Sequence, residues 1–102
     1  MIKIDFLYFE DCPNWKEALE LLKESCFEKA VPESVIRLVK IRNEGDAVKH
    51  RFLGSPSIQI NNADIEESRI DEEPLYGCRI YRDNQGVPSK KLIESAIEAA
   101  LK

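Results

Sequence analysis

One cysteine of this chain occupies a position at which a thiol gains reactivity. Cys12 follows the apolar run at residues 1–9 and directly precedes a helical pattern that begins at Pro13. A helix N-terminus leaves backbone N–H groups unpaired and carries partial positive charge, and both stabilise a thiolate. Proline suits the first helical position, since it has no N–H to leave unpaired. The pattern therefore predicts Cys12 as the N-cap of the first helix and as the candidate nucleophile, while the carboxylates of Glu10 and Asp11 oppose its ionisation.

The two other cysteines have to be judged singly, because the three have no short pair spacing typical of a zinc site or a disulfide framework. Cys26 lies about four helical turns beyond Cys12, roughly 20 Å along the axis, on an apolar stripe that predicts core packing. Cys78 opens a predicted strand, and antiparallel pairing with residues 57–61 places it roughly 13 Å from the Pro56 end of that strand. Cys78 remains a candidate second thiol. Soft-metal binding by Cys12 and Cys78 remains an alternative.

Composition excludes several classes of function. The 102 residues predict one domain, 1–102, and Lys+Arg 15 against Asp+Glu 19 gives a mildly acidic surface that does not attract nucleic acid. No apolar stretch reaches the roughly 20 residues needed to cross a bilayer, so no membrane role is expected. Lys3 and Asp5 interrupt the first apolar segment, so this segment is predicted to be part of the fold rather than a signal peptide. The protein is therefore expected to be cytoplasmic. Nothing in the sequence predicts an oligomeric state.

Hydrophobic periodicity predicts an α/β fold in the order β-α-β-α-β-β-α. Two strands buried on both faces and joined by a crossover helix predict a parallel pair. An acidic run predicts an exposed, solvated loop, and the only histidine, His50, is predicted to be a surface residue rather than a catalytic base. The predicted segments are strands at 1–9, 34–41, 57–61 and 78–82, helices at 13–29, 45–52 and 89–101 with Ser89 as N-cap, the acidic loop at 61–77 and a turn at 83–86.

Three blocks of the chain, residues 8–15 (Tyr-Phe-Glu-Asp-Cys-Pro-Asn-Trp), 52–58 (Phe-Leu-Gly-Ser-Pro-Ser-Ile) and 78–81 (Cys-Arg-Ile-Tyr), resemble small prokaryotic thioredoxin-like proteins whose cellular role is largely undefined. The resemblance implies a thioredoxin-like fold with a central four-stranded mixed sheet flanked by helices. It also implies that Pro56 faces Cys12 as a cis-proline. In that superfamily the backbone before the proline receives an extended peptide or glutathione, which makes Ser55 a candidate contact for a substrate backbone. A plain turn at residues 54–56 is the alternative.

The chain departs from thioredoxins at the position three residues after the first cysteine. Trp15 replaces the second cysteine there, and an indole has no sulfur to exchange. The resemblance therefore implies a monothiol thiol–disulfide oxidoreductase that lacks the resolving cysteine. It would need no cofactor, and it would form a mixed disulfide with glutathione, another low-molecular-weight thiol or a protein thiol. The alternative is a peptide-binding module without redox turnover, and both hypotheses share the substrate-binding candidates Pro13, Trp15, Ser55 and Pro56.

Overall fold

The structure is a computed structural model that describes residues 2–69, 71–82 and 84–102. Parts of three predicted segments, at Met1, Ile70 and Asp83, lie outside the described residues. The helices of the described residues are α1 (Trp15–Glu28), α2 (Glu44–His50) and α3 (Lys90–Leu101), and the strands are β1 (Ile4–Tyr8), β2 (Ile36–Lys40), β3 (Leu53–Ser55), β4 (Ser57–Ile60), β5 (Ala63–Asp64) and β6 (Leu75–Cys78).

A four-stranded mixed sheet with the order β2-β1-β4-β5 forms the centre of the molecule. Strands β1 and β2 run parallel, with Phe6 opposite Leu38, while β4 runs antiparallel to both β1 and β5. The predicted α/β class, mixed four-stranded sheet and parallel first pair are therefore confirmed. Among the described residues, no helix combines the length and apolar character needed to span a membrane.

The main core lies between the sheet and the helices α1 and α3. Most of its side chains come from the inward positions of β1 and β4 and from one stripe on each helix, as the periodicity predicted. Cys26 is 0% exposed within this core, which confirms its role in packing. The other face of the sheet carries a smaller cluster formed by Leu7, Ile41, Ala47 and Phe52.

Strand β2 differs from its prediction. The sequence indicated burial on both faces, but β2 is an edge strand of the sheet, and Leu38 is 52% exposed. Its apolar residues suit a pleated surface whether or not that surface is covered, so composition alone did not distinguish an edge strand from a central one.

The segment from residue 61 to residue 82 also differs from its prediction. A two-residue turn, with Asn61 at φ 52° and Asn62 at φ 70°, returns the chain so that β5 becomes the fourth strand of the sheet. Residues 78–82 do not supply that strand. Instead, β6 ends at Cys78 and pairs in parallel with β3 in a separate two-stranded sheet. The predicted loop therefore contains β5, a 3-10 turn at Glu67–Arg69 and most of β6.

Candidate functional site

Cys12 lies in the turn between β1 and α1. Its N–H donates to the carbonyl oxygen of Phe9 at 3.1 Å, and the residue is only 4% exposed. Helix α1 begins at Trp15 with Asn14 as N-cap, and the Asn14 side chain makes no capping bond. The predictions of Cys12 as N-cap and Pro13 as first helical residue were therefore wrong, because the turn from Phe9 delays the start of the helix.

Trp15 ties this turn to the end of β1. Its ring stacks on that of Tyr8 with centroids 4.4 Å apart, and its Nε1–H donates to the carbonyl oxygen of Glu10 at 3.3 Å. The ring is half-buried and packs against the main core. Trp15 thus contacts Tyr8 and Glu10, two residues that shortly precede Cys12 in the chain.

Ser55 connects the same turn to the segment around Pro56. The Ser55–Pro56 peptide bond is cis, and Ser55 is 0% exposed. Its Oγ accepts from the N–H of Phe9 at 3.3 Å, and its carbonyl oxygen accepts from the N–H of Arg79 at 3.0 Å. The backbone of Ser55, the candidate contact for a substrate backbone, therefore already accepts a hydrogen bond from the chain itself.

Cys78 lies beside Ser55. The register of the parallel pair β3–β6 places the two residues opposite each other, between the hydrogen bonds Leu75 N–H to Phe52 O, at 2.8 Å, and Arg79 N–H to Ser55 O. The predicted antiparallel pairing of Cys78 with the far end of β4 was wrong, because β6 pairs with β3. Cys78 is exposed, and all three cysteines are free thiols.

Tyr76 anchors β6 against the end of β1. Its ring meets the ring of Phe9 edge-on with centroids 5.7 Å apart, and its hydroxyl donates to the carbonyl oxygen of Arg42 at 3.1 Å. Strand β6 is therefore held next to Phe9, the residue whose carbonyl closes the turn of Cys12.

A buried ionic cluster supports the other side of Pro56. The guanidinium of Arg79 is 0% exposed and donates to Asp64 at 2.7 Å through each of Nη1 and Nη2, to Glu66 at 2.9 Å and to Ser57 Oγ at 3.0 Å. Arg69 Nε lies 2.7 Å from Glu66 Oε1 in a second ion pair. Glu66 is buried and Asp64 is half-buried, so the prediction of a wholly solvated acidic run was wrong for these two residues.

Tyr81 joins this cluster to the cis-proline. The Arg79 guanidinium stacks over its ring at 4.2 Å, and its hydroxyl donates to the carbonyl oxygen of Pro56 at 2.5 Å. Burial raises the pKa of Tyr81 above its usual value. Burial alone lowers the pKa of Arg79, but its hydrogen bonds and charge interactions with Asp64 and Glu66 raise the pKa above the usual value, which keeps the guanidinium charged.

Sequence reasoning missed this supporting cluster. Arg79 and Tyr81 stand two residues apart in an extended segment, a spacing that places their side chains on one face. The acidic residues upstream were available partners, but their composition is also that of a solvated loop. The alternation at residues 79 and 81 was the signal that could have identified the cluster.

The turn of Cys12 and the strand that carries Cys78 both contact Ser55, the residue before the cis-proline. In the described part of the chain, no group of three or more His, Cys, Asp or Glu side chains is placed to hold a metal ion. Comparisons with protein-family models, with curated proteins and with solved structures find no match to this chain.

Proposed function

We propose that this chain is a thioredoxin-like protein that exchanges disulfides through Cys12. The observation that carries the proposal is the connection between Cys12 and the cis-proline segment. Phe9 accepts from the N–H of Cys12 and donates to Ser55 Oγ, so one residue holds the thiol turn against the residue before Pro56. A thiol beside a cis-proline matches the arrangement that the sequence resemblance implies.

The order of the elements supports the same proposal. Without the two-stranded sheet of β3 and β6, the remaining elements follow the order β-α-β-α-β-β-α. The cis-proline directly precedes β4, which pairs with the central strand β1. Cys12 follows β1, so the sheet itself brings the proline and the thiol to one end.

The expected substrate is a disulfide of glutathione, of another small thiol or of a partner protein. A thiolate on Cys12 attacks one sulfur of that disulfide, forms a mixed disulfide and releases the other half as a thiolate. Because Cys12 is only 4% exposed, the reaction requires a local opening of the turn. The hydrogen bonds from Cys12 N–H to Phe9 O and from Trp15 Nε1–H to Glu10 O oppose that opening.

The two alternatives have less support. A peptide-binding groove beside Pro56 would use the Ser55 backbone, but β6 of the chain itself lies along that backbone. A soft-metal site would use the thiols of Cys12 and Cys78, but Cys12 is only 4% exposed.

Cys12→Ser tests the proposal, with Cys26→Ser as the matched control. The fully reduced chain is incubated with glutathione disulfide, and released glutathione is measured over time. We expect Cys12→Ser to release glutathione at least about tenfold more slowly than the unmodified chain, and Cys26→Ser to match the unmodified chain after its fold is confirmed by circular dichroism. Undiminished release by Cys12→Ser would exclude Cys12 as the reacting thiol.

A further inference from the structure

We propose that Cys78 is the resolving thiol of the Cys12 centre and that the two close an intramolecular disulfide when a disulfide substrate oxidises the chain. The inference rests on the proposed function of Cys12 and adds a second sulfur to a site that the sequence resemblance describes as monothiol. It is carried by the placement of Cys78 in β6, which the sequence had assigned to a different pairing.

Three consecutive contacts connect the two cysteines. Cys12 is the fourth residue of the turn that begins at Phe9, and such a turn holds its ends within about 7 Å. Phe9 N–H donates to Ser55 Oγ at 3.3 Å. Ser55 is opposite Cys78 on the neighbouring strand, and neighbouring strands lie about 4.8 Å apart.

The direction of the side chains supports the pairing. Residues opposite each other on paired strands project to the same face of a sheet. The Ser55 side chain reaches the N–H of Phe9, so its face of the small sheet is the one turned to the Cys12 turn. Cys78 is opposite Ser55 in the register, after a bulge that shifts the pairing between Leu53 and Ser55.

Exposure also favours Cys78 over Cys26 as the disulfide partner of Cys12. Cys26 is 0% exposed inside the main core, whereas Cys78 is exposed at the end of a four-residue strand. Strand β6 ends at Cys78 and pairs only with β3 in the described residues, so no further strand covers this thiol. A disulfide requires the two Cα atoms to approach within about 7 Å.

The proposed oxidation of the chain by glutathione disulfide balances in atoms and electrons. The Cys12 thiolate attacks glutathione disulfide, forms Cys12–S–S–glutathione and releases one glutathione thiolate. The Cys78 thiolate then attacks the Cys12 sulfur, forms the Cys12–Cys78 disulfide and releases the second glutathione thiolate. The protein loses two electrons and two protons in total, and glutathione disulfide gains them as two glutathione molecules.

Peptide mapping of the whole chain tests whether Cys12 and Cys78 form this disulfide. The reduced protein is treated with glutathione disulfide, its remaining thiols are alkylated in acid, and trypsin digestion is followed by mass spectrometry without reduction. Cleavage after Lys3 and Lys16 places Cys12 in peptide 4–16, and cleavage after Lys23 and Lys29 places Cys26 in peptide 24–29. Cleavage after Arg69 and Arg79 places Cys78 in peptide 70–79. We expect peptides 4–16 and 70–79 to appear as one disulfide-linked pair, in the unmodified chain and in Cys26→Ser alike.

The Cys78→Ser variant tests the role of Cys78 independently of the proposed exchange at Cys12. We expect this variant to accumulate glutathione on Cys12 and to lose that adduct at least about tenfold more slowly than the unmodified chain. An adduct on Cys12 that persists equally in both proteins, or oxidation that links Cys78 only to Cys78 of a second copy, would overturn the inference while leaving Cys12 exchange intact. Uptake of glutathione by Cys12→Ser at the rate of the unmodified chain would instead overturn the proposed function.

Discussion

Arg79→Met removes the charge at the centre of the buried cluster while keeping an unbranched side chain of similar reach. The guanidinium makes four side-chain hydrogen bonds, to Ser57, to Glu66 and twice to Asp64. Its removal leaves the carboxylates of Asp64 and Glu66, whose side chains are 10% and 6% exposed, without their main partner. Removing one partner of a buried ion pair costs about 3–5 kcal/mol. Because Arg69 still contacts Glu66, we expect a loss near 3 kcal/mol, the lower end of that range.

Urea denaturation at pH 7 measures this loss as a change in the free energy of unfolding. Arg82→Met is the matched control, since Arg82 lies three residues away with a side chain 63% exposed and an ion pair to Glu72 at 3.7 Å. We expect the control to lose less than about 1 kcal/mol.

The reasoning is refuted if Arg79→Met and Arg82→Met have the same urea midpoint of unfolding and the same slope of the free energy of unfolding against urea concentration. That result would mean that the ionic cluster does not hold the segment around Pro56. The apolar contacts of β4 and the pairing of β3 with β6 would then be sufficient to fix it.

Three further predictions concern the same end of the molecule. Gly54→Ala should lower the free energy of unfolding in urea by about 1–3 kcal/mol, because Gly54 has φ +104° and an added Cβ would lie 2.9 Å from the Cβ of Arg79. Unchanged stability would contradict this close approach. Trp15→Phe should speed alkylation of Cys12 severalfold, because it removes the hydrogen bond from Nε1–H to Glu10 O. The free energy of unfolding should change by about 1 kcal/mol at most. An unchanged alkylation rate would show that this bond does not limit opening of the turn that carries Cys12. Burial raises the pKa of Tyr81 above its ordinary 10.0, so the stabilisation it contributes is complete below pH 10 and is lost as pH rises further. Tyr81→Phe should therefore be less stable at pH 7 by about 1–3 kcal/mol, since the Pro56 carbonyl loses its donor, but should show a flatter decline in melting temperature above pH 10 than the unmodified chain.

Local pattern was sufficient to predict the first strand and the two longer helices. The alternation in residues 1–9 predicted β1, and the helical spacing predicted α1 and α3 to within two residues at most ends. Ser89 was predicted as the N-cap of α3, and its Oγ accepts from the N–H of Leu92 at 3.1 Å. These features depend on residues three or four apart, so their physical causes are contained in short stretches of sequence.

The sequence by itself also identified Cys12 as a position of interest, since it stands at a junction between elements, and the resemblance added Pro56. Only the tertiary structure decided what surrounds them. The pairing of Cys78 with Ser55 and the burial of Arg79 against Asp64 join residues at least 15 positions apart. A charged residue in an acidic segment has many potential partners, and a short apolar strand can pair with several edges at similar energy. The choice depends on which arrangement leaves no buried charge or backbone group unpaired, and that is a property of the whole fold.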